Sequence, residues 1–214
     1  MKTNFMVLDT ETTNDIESPL VYDLGYIIFD ENKNILLRRS FVVTEMFYSN
    51  LMEYAYFKDK IPMYLADIEN GSRIALDLYG IRQMFCKDIA DYNVKIVMAH
   101  NALFDYRALQ NTMRWLTKSK CRYFFPKGIV FYDTLKMARQ TFAKNLVYNY
   151  FCKKNGYLTK QKKSQLTAEV IHRFMTNKLD FMESHTGLED CEIEKEIYFK
   201  CLKMNARIDC RLFA

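Results

Sequence analysis

Acidic residues at short spacings mark where this chain could do chemistry. The run Phe5-Met6-Val7-Leu8-Asp9-Thr10-Glu11-Thr12-Thr13 closes an apolar stretch with two carboxylates. In an extended chain residues i and i+2 share a face, so Asp9 and Glu11 aim at one spot. Two acids side by side resist joint ionisation unless a cation sits between them. Oxygen-only ligands suit Mg²⁺ or Mn²⁺ rather than zinc. A solvated strand end would also carry such a pair, and Asp-x-Glu alone does not choose. The second acidic site, Asp105, follows the apolar run Lys95–Ala99 and the segment His100-Asn101-Ala102-Leu103-Phe104. Asn101 reads as a helix N-cap, which puts Asp105 in the first turn, where the helix dipole favours an acid. The same position is the carboxyl end of a sheet strand, where α/β proteins place their sites. The third cluster is Glu183-Ser184-His185-Thr186-Gly187-Leu188-Glu189-Asp190. Thr186 and Glu189 form a capping box that starts a helix. His185 lies just outside that start and Asp190 in its first turns. A helix N-terminus disfavours imidazolium and biases His185 toward the neutral form that can act as a base.

Elements that would position these groups are readable from apolar spacing. Asn4–Asp9, Val21–Asp30 and Asn34–Val43 read as strands, the last two joined by the polar turn 30–34 into an antiparallel hairpin. Lys95–Ala99 and Ile129–Tyr132 add two more, which predicts five strands. Ile74, Leu78, Ile81, Phe85 and Ile89 recur at helical spacing and predict a helix over Arg73–Tyr92. Further helices are predicted over Ala102–Lys118, on both sides of Asn145, over Leu166–Thr176 and over Gly187–Arg207, with Asp133 as an N-cap. Residues 44–72, punctuated by Pro62 and Gly71, read as irregular. The expectation is an α/β fold: a mixed five-stranded sheet with an antiparallel N-terminal hairpin, flanked by helices, in a single domain over residues 1–214.

Composition narrows the class. Half of the 214 residues are apolar and 15% aromatic, with Gly 6 and Pro 3. That excludes global disorder and linker-rich or collagen-like chains. No run approaches the roughly 18 apolar residues of a membrane span. Lys2 is followed only by the short run Phe5–Leu8, below the roughly 7–15 residues of a signal-peptide core, so a cytoplasmic protein is expected. Six cysteines form no CxxC pair, and Cys191, Cys201 and Cys210 fall in one helical-looking tail. Free thiols are expected rather than disulfides or zinc.

Net charge is +5, but its distribution is uneven: Tyr106–Ala168 holds 14 Lys/Arg and one acid, Asp133, leaving the remainder at about −8. Such segregation fits a polyanionic partner, or a set of solvated helix faces. Trp115, Tyr123, Phe124, Phe125, Tyr148, Tyr150, Phe151 and Tyr157 interleave with the charge. Rings amid cations suit single-stranded nucleic acid, although rings of this kind also build cores. Lys153, Lys154, Lys160, Lys162 and Lys163 crowd a loop around Gly156, which is expected to track phosphates.

Taken in order, Asp9-Thr10-Glu11-Thr12, Asn101 through Phe104-Asp105, and His185 through Asp190 resemble the three motifs of the DEDDh family of 3′→5′ exonucleases. That DnaQ-like family includes the proofreading subunits of bacterial DNA polymerases, and the short form here is similar to stand-alone phage exonucleases. The resemblance implies an RNase H-like fold. It implies two divalent ions, Mg²⁺ or Mn²⁺, held by Asp9, Glu11, Asp105 and Asp190, with Asp9 touching both. It implies His185 as general base, and release of 5′-mononucleotides from the 3′ ends of single-stranded DNA. Thr10, Thr12 and Phe104 then lie beside the terminal nucleotide. The length leaves no room for a polymerase domain, so a polymerase served by this chain would be a separate one. Many family members follow the first motif with Gly and an apolar wedge; here Asn14-Asp15-Ile16 follows, and Ile16 or Leu20 is the candidate wedge. An exoribonuclease of the same family and a non-catalytic nucleic-acid-binding or polymerase-associated module remain the alternative readings.

Overall fold

Strand β2 (Leu20–Phe29) is buried at every position, as a near-continuous apolar run with neighbours on both sides must be. The computed structural model describes residues 4–205 and 207–213. Lys2, the outermost positions of the expected 1–214 domain and Ala206 within the expected last helix lie outside the described residues. Around β2 the sheet runs β4 (Ile74–Leu76), β3 (Ile35–Val43), β2, β1 (Asn4–Thr13), β5 (Val94–Ala99), β6 (Val130–Asp133). Among the described residues it has six strands, not five. β1 and β3 flank β2 antiparallel, while β1, β5 and β6 run parallel to one another. The carboxyl ends of β1, β5 and β6 therefore meet on one side, which is where the three acidic motifs fall.

Side chains alternate across the sheet as the two-residue period requires. Met6 and Leu8 pack into one core layer and Val7 into the other. The first layer holds α1 (Thr44–Phe47), α2 (Ile61–Glu69), α3 (Leu78–Asp91) and α4 (Ala102–Thr117). The second holds α5 (Thr134–Gln140), α6 (Leu146–Asn155), α7 (Ala168–Thr176) and α8 (Gly187–Met204). Asn145 caps α6 through the Tyr148 N–H and Thr167 caps α7 through the Val170 N–H. Asp133 caps α5, as expected from its place after a strand.

Three expectations need correction. The sixth strand comes from residues assigned to a helix over 73–92: Ile74, Ala75 and Leu76 pair with Phe41, Val42 and Val43, and the helix starts only after Asp77, whose carboxylate accepts the Gly80 N–H. Apolar spacing alone cannot separate a short strand from the first turn of a helix. Residues 44–72 are also not irregular; they form α1, 3-10 turns at Asn50–Tyr54 and Lys58–Lys60, and α2. The last helix ends at Met204, so Cys210 is not helical. Its carbonyl accepts the Asp133 N–H at 2.8 Å, and the Leu212 N–H reaches Phe131 at 2.8 Å, so the C-terminal residues cover the open edge of β6. All six cysteines are free.

Candidate active site

Asp9 and Glu11 lie on the face of β1 turned toward α8. Asp9 is paired with Gly25 on β2, and a Cβ on Gly25 would fall 2.0 Å from the Gly187 backbone. Glycine at both positions lets the start of α8 rest directly on the sheet beside Asp9. Asp23 holds it there: its Oδ2 accepts the Gly187 N–H at 2.9 Å and the Tyr64 hydroxyl at 2.7 Å, and its Oδ1 pairs with the buried Arg73 guanidinium at 2.9 Å.

Asp105 enters from α4. The Thr10 hydroxyl donates to its Oδ1 at 2.8 Å, which ties the helix start to β1. Asn101 does occupy the N-cap position, but it is left-handed (φ 74°) and its side chain caps nothing; its backbone N–H goes to Asp133 at 3.2 Å. A capping side chain needs extended backbone at this position, which Asn101 lacks. Asp190 enters from α8, and here the capping box is rearranged. Thr186 donates its hydroxyl to Glu189 at 2.6 Å, while its backbone N–H is taken by Asp190 at 3.2 Å. Ser184 donates to the other Asp190 oxygen at 3.1 Å. His185 stands at the mouth, left-handed at φ 48°, with Nδ1 4.0 Å from a Glu183 oxygen.

These five groups line one cleft of about 470 Å³, together with Thr10, Phe104, Phe57 and Glu194. Glu11, His185 and Asp190 present ligand atoms all within 4.8 Å of one another. Burial pushes the Glu11 carboxyl up to about 9, aided by repulsion from Asp23 and Asp190. Burial likewise raises Asp105 to about 7 and Asp190 to about 6, and holds Asp9 well above the usual carboxylate range, with Glu194 the leading repelling charge on Asp9. Carboxylates forced together this way gain most from a cation, which would reverse the repulsion. The donors are hard oxygens, so the set fits Mg²⁺ or Mn²⁺. Burial and the Lys60 charge lower the His185 pKa, so its imidazole is neutral at neutral pH.

Glu194 was not anticipated. It lies one turn after Asp190 on α8, is buried, and accepts the His100 N–H at 3.0 Å. The i, i+4 spacing from Asp190 is the signal that could have found it. Asp23, Phe57 and Lys60 carry no such local signal.

The proposed substrate contacts divide. Thr10 and Phe104 line the cleft, whereas Thr12 does not. A second groove, of about 1130 Å³, is lined by Arg139, Lys153, Lys160, Lys162 and Lys163, and Leu135 and Leu166 border both spaces. Lys154 is exposed on α6 but lies outside that groove. Among the aromatic residues of the basic stretch, Phe124, Phe125 and Tyr148 are core, while Trp115, Tyr123 and Tyr150 are exposed. Leu20 is core and cannot wedge a base, whereas Ile16 is 81% exposed. Among the described residues no helix is long and apolar enough to cross a membrane.

No family model matches the chain, and no curated protein matches its sequence. Solved structures do match. Cell-death related nuclease 4 (CRN-4) aligns with a TM-score of 0.59 at 13% identity, over 98% of this chain and 67% of that one. E. coli Exonuclease I in complex with a dT13 oligonucleotide aligns with a TM-score of 0.58 at 11% identity, over 96% of this chain. This chain spans only 42% of that exonuclease. S. pombe Pop2p, in a form with Mg²⁺ and Mn²⁺ bound, aligns with a TM-score of 0.56 at 13% identity, over 94% of this chain and 84% of that one. At these identities the likeness establishes the RNase H-like fold, a mixed sheet flanked by helices.

Proposed function

We propose that this chain, which shares its fold with nucleases, is a 3′→5′ exonuclease of the DEDDh type that shortens single-stranded DNA to 5′-mononucleotides. One observation carries the reading: Asp9, Glu11, Asp105, Asp190 and His185, from three separate stretches of sequence, converge on a single cleft. The basic groove that adjoins it supports a polyanionic substrate. So does the oligonucleotide bound to E. coli Exonuclease I, while the Mg²⁺ and Mn²⁺ of S. pombe Pop2p support the divalent cations.

Asp9, Glu11, Asp105 and Asp190 would hold two divalent cations. When bound, such ions supply Lewis-acid stabilisation of the attacking and leaving oxygens and lower the pKa of water. His185 takes the proton of the attacking water on a ring nitrogen, and its depressed pKa keeps it ready to do so. The hydroxide attacks the terminal phosphodiester in line and expels the 3′ oxygen of the preceding nucleotide. Thr10 holds Asp105 against β1, and Phe104 offers a ring to the terminal base. Lys153, Lys160, Lys162 and Lys163 hold the phosphates of the strand that follows.

The test is a 5′-labelled single-stranded oligonucleotide incubated with Mg²⁺, Mn²⁺ or EDTA, beside Asp9→Ala. A metal-dependent ladder shortening from the 3′ end, absent in Asp9→Ala, is expected. Binding without nucleotide release in either metal, on DNA and on a matched RNA, would overturn the enzyme reading. A ladder on RNA alone would move the substrate to RNA.

A further inference from the structure

We infer that Phe57 and Lys60, from the segment between β3 and α2, are positioning residues that clamp His185 in its working orientation; this rests on the general-base reading above. The His185 ring lies flat on Phe57, with centroids 4.4 Å apart and planes 13° apart. Lys60 donates its ammonium to the carbonyls of Ser184 and His185, the latter at 3.1 Å. The same ammonium sits 4.5 Å over the Phe57 ring. Ring, ammonium and loop backbone therefore form one closed set of contacts around the histidine.

The clamp answers a specific need. His185 is a β-carbon-bearing residue at φ 48°, a conformation that persists only where the surroundings over-determine it. Its side chain is 39% exposed, so burial alone does not fix it. Asp190 anchors the loop through Ser184 and Thr186, and Glu169 accepts the Glu183 N–H at 3.0 Å, but none of these hydrogen bonds reaches the imidazole. Phe57 supplies the contact with the ring itself, and Lys60 holds the backbone that carries it. A base that must meet one proton of one water loses most of its effect when displaced by about 1 Å.

The experiment compares Phe57→Ala, Phe57→Leu and Phe57→Tyr, alone and with His185→Ala, in single-turnover and steady-state assays in Mn²⁺. Melting temperature is recorded for each. Phe57→Ala is expected to lower kcat about 10- to 100-fold with KM for the oligonucleotide nearly unchanged. Phe57→Leu keeps apolar volume without the flat ring and should fall likewise, so a folding defect does not decide the result. Phe57→Tyr should recover most of kcat. In the His185→Ala background Phe57→Ala should cost nothing further, because the two act as a unit. Full kcat in both Phe57→Ala and Phe57→Leu overturns the clamp, as does an equal loss with and without His185. A raised KM at unchanged kcat would instead make Phe57 a substrate contact. Near-normal turnover in His185→Ala itself would remove the general base, and the clamp with it.

Discussion

Replacing Glu11 with glutamine should stabilise the protein when divalent cations are removed, although it should abolish activity when they are present. The Glu11 carboxyl is pushed from its ordinary 4.5 to about 9, first by burial and then by Asp23 and Asp190. Between those values the folded chain keeps a proton that the unfolded chain has released. Stability in EDTA therefore falls as pH rises across that window. Each pH unit costs about 1.4 kcal/mol, so moving from pH 7 to 8.5 costs about 2 kcal/mol through Glu11 alone. For a chain of this size that lowers Tm by about 4–8 °C. Glu183, raised to about 8, adds to the same trend. His100, His172 and His185, all held below their usual value of 6.5, act in the opposite sense below about pH 7, where the unfolded imidazoles take up protons, and add little between pH 7 and 8.5. Thermal melts in EDTA at pH 7 and 8.5 read the effect. Glu11→Gln should melt above the wild type at pH 8.5 and show a flatter pH trend. Saturating Mg²⁺ or Mn²⁺ should reverse the order, because a cation rewards the ionised carboxylates. A wild-type Tm in EDTA that rises with pH, or a Glu11→Gln protein that melts lower at pH 8.5, would refute the crowded-carboxylate account.

His185→Ala should lose about 10²- to 10⁴-fold in turnover while binding the oligonucleotide with near wild-type affinity in Ca²⁺, measured by fluorescence anisotropy; retained turnover would remove the general base. Changing Lys153, Lys160 and Lys163 together to glutamine should weaken binding and flatten the log K against log[salt] slope by about 2, and an unchanged slope would place the strand elsewhere. Gly187→Ala brings a Cβ within 2.5 Å of the Gly25 nitrogen and 2.8 Å of the Asp9 carbonyl oxygen, backbone atoms that cannot turn aside. It should cost about 1–3 kcal/mol in chemical denaturation and reduce activity by shifting Asp190, whereas a wild-type Cm with full activity would show that α8 does not register on β1 at this point.

The catalytic candidates were legible because each motif is local. Asp9 and Glu11 share a face through the strand period, and Asp105 follows a strand into a helix. His185 and Asp190 bracket a helix start that Thr186 and Glu189 announce. Most helices were legible from apolar spacing, except where Ile74–Leu76 joined the sheet beside β3 and over residues 44–72, where α1 and α2 form in a stretch read as irregular. The same periodicity could not say that Leu20 is core and Ile16 solvent-facing, or that Lys154 lies outside the groove its neighbours line.

Residue types and short spacings thus marked which carboxylates and which histidine could cooperate, and that a mixed sheet flanked by helices would carry them; the RNase H-like arrangement was implied by the resemblance to the DEDDh family. Tertiary structure alone decided that a fifth acid, Glu194, joins them, and that Asp23, Arg73 and Tyr64 pin the start of α8. It also decided that the segment between β3 and α2, which had no readable motif, closes over the histidine. Lys60 and His185 are 125 residues apart, and Asp23 and Gly187 are 164 apart. Contacts across such distances leave no periodicity in the chain. They exist only once the sheet has brought its strand ends together and the apolar faces of the helices have been buried against it.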